Sequence, residues 1–481
     1  MDRILFRGIW DSTENFVGAS FLEPVVGSSA IVGISASGDM RQFLVMEGAI
    51  ATPDLIGEAI SGLDGFVPGG IYAFDSGVIW VWDSLTGRAV QLEGLADTSP
   101  IAVRIGDQAL AVSVVAEFGG YIAVASADRD GLSLLNDSGS GNVTEISSVT
   151  DGIKSSVTGL SDLLLLPVGE REFLITASYT ETGLSCFEVQ GGQLVDIDHI
   201  GQKDGLWANG FTKLLGVQVA GKTYVIAASA KSNSLHSLRV NENGVFFTAD
   251  QIWDTRDTRF EGVVDMDSFH WRGRDFILVG GQDAGLSLIE VLPDGGLFHH
   301  QSIAQTANWD LGPITQIETQ VLGQEAQIYL TGSQGAGVSQ LSIDLTTLGE
   351  RRSGTAANDT LRGDALDNLL IGGVGNDRLR GLEGDDTLIA GSGSDALSGE
   401  EGADVFVFQA DGVGDKITDY ELGVDRLHLA GWGRLYHHGD LGLAAVPFGA
   451  RITWGDEVLD IYSADGQTIL PEDWGADDFI F

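Results

Sequence analysis

The 481-residue chain has a single cysteine, Cys186, which excludes an internal disulfide framework. It stands in the apolar run GLSCFEV at 183–189, where a small buried core residue is expected rather than a nucleophile. Basic residues are scarce as well: 26 Lys and Arg face 69 Asp and Glu, a net charge of −43. Nucleic acid and anionic membranes are thereby excluded as partners, because binding them depends on a basic surface that releases counterions. No apolar stretch approaches a membrane span, and the opening MDRILFRGIWDSTENF lacks the apolar core of a secretory signal. An export address, where there is one, is therefore expected away from the N-terminus.

Motifs of common catalytic chemistries are missing too. There is no H-E-x-x-H zinc site, no G-x-S-x-G nucleophile turn and no EF-hand spacing. The eight histidines are scattered, and the adjacent pairs His299-His300 and His437-His438 would point to opposite faces of a strand and chelate poorly. The segment GVQVAGKT at 216–223 matches a phosphate-binding loop, but that motif needs a strand before it and a helix after it. Here Thr223 opens the apolar run TYVIAAS, so Gly221 and Lys222 are expected at a hairpin tip.

What the chain has in plenty is glycine, 67 residues, within a 43% hydrophobic composition. That suits a turn-rich β protein, and the length allows two substantial cores. From Gly354 to Val407 the sequence divides into six nonads, GTAANDTLR, GDALDNLLI, GGVGNDRLR, GLEGDDTLI, AGSGSDALS and GEEGADVFV. They follow G-G-x-G-x-D-x-U-x, where U is a large apolar residue, a template of calcium-binding parallel β-helices. The sixth position holds Asp359, Asn368, Asp377, Asp386, Asp395 and Asp404; the eighth holds Leu361, Leu370, Leu379, Leu388, Leu397 and Phe406.

Each register has a physical task. Gly372, Gly373, Gly375, Gly381, Gly384, Gly391, Gly393 and Gly402 permit tight turns that a Cβ would oppose. Such turns present backbone carbonyls, and the carboxylates of Asp359, Asp377, Asp386, Asp395 and Asp404 add charge, which together meet calcium's demand for six to eight oxygen ligands. The eighth-position residues stack inward as a ladder. Six such turns are expected to bind several calcium ions and to fold only when the carboxylate rows are neutralised. A linker has no reason to hold leucine in a nine-residue register. The central sites at Asp377, Asp386 and Asp395 fit the template best, whereas Thr355, Ala357 and Asn368 depart from it.

This segment resembles the RTX (hemolysin-type) calcium-binding repeats of bacterial proteins exported by type I secretion. The following DVFVFQADGVGDKITDYELGVDRLHLAGW, with Asp415, Asp419 and Asp425, resembles the cap behind such repeats, and the final ADDFIF resembles the family's uncleaved C-terminal export signal. The resemblance implies extracellular localisation, the type I secretion machinery as a partner through the C-terminus, and folding in calcium outside the cell.

Residues 1 to about 348 carry a longer repeat. Apolar runs ending in a small residue recur at Ala36, Ser76, Ser126, Ser178, Ser229, Gly281 and Ser333, with spacings of 40, 50, 52, 51, 52 and 52. Four strand-like runs per unit of about 50 residues describe a propeller blade, loosely similar to WD-repeat and lactonase-type domains. The last unit lacks a fourth strand, and the opening RILFRGIWDST is expected to supply it.

The expected fold is therefore all-β. A seven-bladed β-propeller occupies 1–348, closed by the N-terminal strand; a parallel β-roll follows over 349–410, then the cap and type I secretion signal over 411–481. A mixed acidic and aromatic rim, including Glu181, Lys231, Asp283, Asp254, Trp10, Trp207, Trp253 and Trp309, is the expected face for an unidentified extracellular ligand. The alternative is a secreted propeller enzyme, hydrolase or lactonase-like, with its site at the channel mouth; a third reading is a structural matrix component.

Overall fold

The computed structural model describes residues 4–10, 19–24, 30–35, 40–44, 53–57, 68–74, 78–92, 101–105, 108–118, 120–126, 130–137, 141–150, 156–305, 312–333, 338–433, 435 and 437–480. They form two compact units, one built from Met1–Trp271 and Asp275–Asp344, the other from Arg272–Arg274 and Leu345–Phe481.

The first unit is a β-propeller. Apolar runs bounded by polar turns pair with their sequence neighbours, so the sheets are antiparallel meanders such as Leu160–Val168, Arg171–Ser178, Gly183–Gln190 and Gln193–Gly201. Second and third strands are buried on both faces, as in Arg274–Gly280 and Gly285–Val291. Their side chains fill the space between neighbouring sheets; one such core joins Phe173, Ile175 and Leu184 to Phe211, Leu214 and Val225. First strands touch in succession around a ring, and the one at Ile314–Leu322 returns to the one at Ala19–Pro24. Ile4–Trp10 pairs antiparallel with Val338–Asp344 and is the fourth strand of that last sheet.

Three of the strand-end serines have a bonding role. Ser126 Oγ donates to the Ala111 carbonyl (3.0 Å), Ser178 Oγ to Thr158 (2.5 Å) and Ser229 Oγ to Asn209 (2.6 Å), each tying the second strand to the segment that enters its own sheet. Ala36 and Ser76 lie outside the described residues.

The expectation of a seven-bladed propeller is corrected: among the described residues six sheets of this unit are four-stranded blades, while the sheet over Val114–Phe118, Tyr121–Ala125, Leu132–Asp137 and Asn142–Val149 has six strands. The short hairpin Arg104–Ile105 and Gln108–Ala109 adds to its outer edge, with Arg104 pairing parallel to Asn142. Unpaired amides at a sheet edge recruit such a segment, and its polar sequence reads only as a turn.

The second unit is a parallel β-roll with two sheets. Strands alternate between them, so one complete coil is 18 residues and two nonads rather than one. Leu361, Leu379, Leu397 and Ile417 stack in one sheet; Leu370, Leu388, Phe406 and Leu427 stack in the other. Apart from Leu361, which packs at the edge, these side chains are fully buried, each contributing about 1.5–3 kcal/mol of burial. Tyr420, Trp432, Trp474 and Phe479 close the far end of this core. Phe479–Ile480 adds a last parallel strand against Leu427 and His428, and the hairpin Gly449–Trp454 with Glu457–Ser463 extends the other sheet. No helix among the described residues is long and apolar enough to cross a membrane.

Candidate metal centre

The sixth position of each nonad follows a polar loop and precedes a strand, so its side chain turns back into the loop. Coils stack there by a repeated bond. The Asp359 amide donates to Asp377 Oδ1 (2.7 Å), Asn368 to Asp386 (2.7 Å), Asp377 to Asp395 (2.7 Å) and Asp386 to Asp404 (2.8 Å). Two ladders thus run along the roll, one for odd and one for even nonads, at a spacing of 18 residues. The cap continues both: Asp395 donates to Asp415 Oδ1 (2.8 Å) and Asp404 to Asp425 Oδ1 (3.0 Å).

One oxygen of each ladder carboxylate is so engaged. In four of them the other is not. Oδ2 of Asp377, Asp386, Asp395 and Asp404 is buried with no hydrogen-bond partner, in residues only 1% exposed. A buried carboxylate oxygen left bare is strongly unfavourable. Backbone carbonyls gather beside it. A Cβ on Gly372 would strike both Asp377 Oδ2 and the Ala390 carbonyl, and one on Gly381 would strike Asp386 Oδ2 and the Gly399 carbonyl. Gly375, Gly384, Gly393 and Gly402 hold φ between +107° and +142°, where a side chain would meet the backbone of the preceding coil; Gly373 and Gly391 hold φ near +99° and +94°. One anionic oxygen with several carbonyls is a hard-oxygen donor set of the kind calcium takes. No cluster of three His, Cys, Asp or Glu side chains occurs among the described residues; each loop supplies one carboxylate, and the remaining donors are main chain.

Without a cation three of these carboxyls resist ionisation. Burial pushes Asp386 and Asp404 up to about 8 and Asp395 to about 6, with neighbouring carboxylates adding to the effect. Asp415 and Asp425 are pushed to about 7 by the same burial. Asp359 differs: it is only partly buried, its Oδ2 accepts from the Thr355 amide (2.7 Å) and hydroxyl (2.8 Å), and these bonds hold it below the usual carboxylate range. The nonad template does not separate Asp359 from the others, and it misses the ladder positions Asp415 and Asp425, which follow Asp395 and Asp404 at 20 and 21 residues.

The remaining sequence candidates scatter. Cys186 is fully buried in a propeller core, where desolvation raises its thiol far above the ordinary range. Val219 pairs with Lys222, so Gly221 sits in a hairpin turn. His300 bonds Glu290 (2.7 Å) and His299 bonds Ser302 (2.8 Å). His437 and His438 are not in a strand; their rings stack 4.4 Å apart rather than facing opposite ways. On the rim, Glu181 accepts from the Thr158 amide, Asp254 from Thr258 and Phe260, and Lys231 lies over the Tyr179 ring at 4.2 Å. Trp207 and Trp253 are 65% and 56% exposed. Trp309 lies outside the described residues, as does the Trp10 side chain.

At the propeller's centre, first strands line a cavity of about 430 Å³ that gathers Asp162, Lys213, Asp265 and Glu318. Lys213 pairs with Asp265 (3.2 Å). Asp162 accepts from the Leu163 and Leu214 amides, and Asp265 from that of Ile317. These carboxylates join neighbouring first strands, as Asp198 and Asp250 join outer ones by accepting from Phe246 and Leu297. Part of the chain's acidity thus staples one sheet to the next.

The family model for the RTX calcium-binding nonapeptide repeat matches residues 353–388 and 371–406. No curated protein matches the chain. Among solved structures, the chain is similar to one described as "Crystal structure of WD40 beta propeller domain of Doa1", at 13% identity, covering 71% of this chain and 97% of that one, with a TM-score of 0.48. The chain thus carries RTX calcium-binding repeats, in a parallel β-roll that follows a β-propeller.

Proposed function

We propose that this is a secreted protein whose roll folds on calcium outside the cell, exported by type I machinery through its C-terminal segment over 411–481, and whose propeller binds an extracellular ligand or surface. The observation that carries the reading is the set of four buried carboxylate oxygens, on Asp377, Asp386, Asp395 and Asp404, with no protein donor. In this reading those four carboxylates bring the charge. The glycines at 372, 373, 375, 381, 384, 391, 393 and 402 let main-chain carbonyls reach the ion. Calcium neutralises the rows and completes the donor set, which makes folding conditional on the cation. Affinities of about 10⁻⁴ to 10⁻³ M, usual for extracellular modules, would leave the roll open in a calcium-poor cytoplasm and closed outside.

The test is a calcium titration of the full chain followed by circular dichroism. A gain of β structure up to millimolar calcium, reversed by chelator, is expected; no gain overturns the reading. For the propeller, the exposed Trp207 and Trp253 mark the face for a partner, and quenching of their fluorescence reports binding. The enzyme reading draws on the acids of the central cavity, but Asp162 and Asp265 are already committed to strand amides and to Lys213, so binding is the better-supported role.

A further inference from the structure

The six loops of the roll are not alike, and the difference lies at the second residue of each nonad. In the first loop the Thr355 amide donates to Asp359 Oδ2 (2.7 Å), and in the second the Asp364 amide donates to Asn368 Oδ1 (2.6 Å). Each loop thereby closes on itself, with a backbone N–H where a positive charge would otherwise stand. Neither Thr355 nor Asp364 has a positive φ.

The next four loops take the other form. Their second residues, Gly373, Leu382, Gly391 and Glu400, hold φ of +99°, +95°, +94° and +71°. Two of these are not glycine, and left-handed backbone opposes a Cβ; such strain persists where surroundings fix it. In this conformation the amide does not reach the sixth-position carboxylate, whose Oδ2 stays buried and without a donor. Backbone inversion and orphaned oxygen therefore coincide in the same four loops. Beyond them, Glu421 donates to Asp425 Oδ2 (2.8 Å), which restores the self-closed form of the first two loops.

We propose that calcium is bound by four loops only, 373–377, 382–386, 391–395 and 400–404, and that the first coil is a cation-free cap whose own amides stand in for the ion. The proposal rests on the reading of the buried carboxylates as calcium ligands and fixes which of them act. Asp359, which the repeat template places among the ligands, becomes an end-capping residue. Asn368 fits the same scheme, since a self-closed loop needs no charge and its amide nitrogen also donates to Asp364 Oδ1 (3.3 Å).

The experiment is the calcium stoichiometry of the full chain by equilibrium dialysis, with Asp359→Asn, Asn368→Asp and Asp404→Asn beside it. The expected count is four ions in the unmodified chain, four in Asp359→Asn and Asn368→Asp, and fewer in Asp404→Asn, which keeps the oxygen that accepts the Asp386 amide and so spares the ladder. A nonzero count other than four, or the loss of an ion in Asp359→Asn, overturns the proposal while calcium binding stands. A count of zero overturns the calcium reading itself. Should Asp404→Asn fail to fold, the two first-coil variants, which alter no orphaned oxygen, still decide the matter.

Discussion

At the residue scale, the roll is governed by carboxyl groups that burial makes weak acids. Asp386 and Asp404 titrate at about 8, Asp415 and Asp425 at about 7, and Asp395 at about 6, whereas in an unfolded chain aspartate titrates near 4. Between those limits the cation-free fold holds protons that the unfolded chain has released. Its stability therefore falls as pH rises from about 4 to about 8. In chelator, the full chain is expected to retain roll structure at pH 5 and lose it by pH 8, read by circular dichroism. Calcium should suppress that trend, because the ion takes the place of the protons. Calorimetric titration at pH 7 in buffers of differing ionisation enthalpy should register proton release on binding. A chelated roll that strengthens with rising pH would contradict the assigned burial of these groups.

At the scale of elements, the leucine ladder and the blades differ in how far sequence discloses them. Leu388 stacks between Leu370 and Phe406 at zero exposure, so Leu388→Ala should destabilise the calcium-loaded roll by about 2–5 kcal/mol, measured by denaturant unfolding. The inward ladder was legible because a fixed register of large apolar residues has one physical use. Its pairing was not. A nine-residue repeat leaves open whether successive strands share a sheet, and only the alternation of Leu379 and Leu388 between two sheets makes the coil 18 residues long. Nor did the template distinguish Thr355 from Leu382, both departures from glycine at one position, because their opposite backbones depend on neighbours a coil away. In the propeller the strand-end serines gave the blade period, while the added hairpin at 104–109 was hidden by its brevity.

At the scale of the molecule, the two units own separate cores: Leu379, Leu397 and their stack in one, the inter-sheet clusters around Phe173 and Val225 in the other. Chelator should therefore shift one thermal transition and spare the other, which differential scanning calorimetry of the full chain resolves; a single transition moving as a whole would show the propeller to depend on calcium as well. The 18-residue coil also sets a rule of arithmetic for the roll's length. Removal of residues 372–389 takes out one strand from each sheet and returns every later residue to its original side. Removal of 372–380 alone would send each later nonad across to the opposite sheet, so that both ends meet the wrong partner. Such a roll can lengthen or shorten only in pairs of nonads, and its repeats are heritable as doublets.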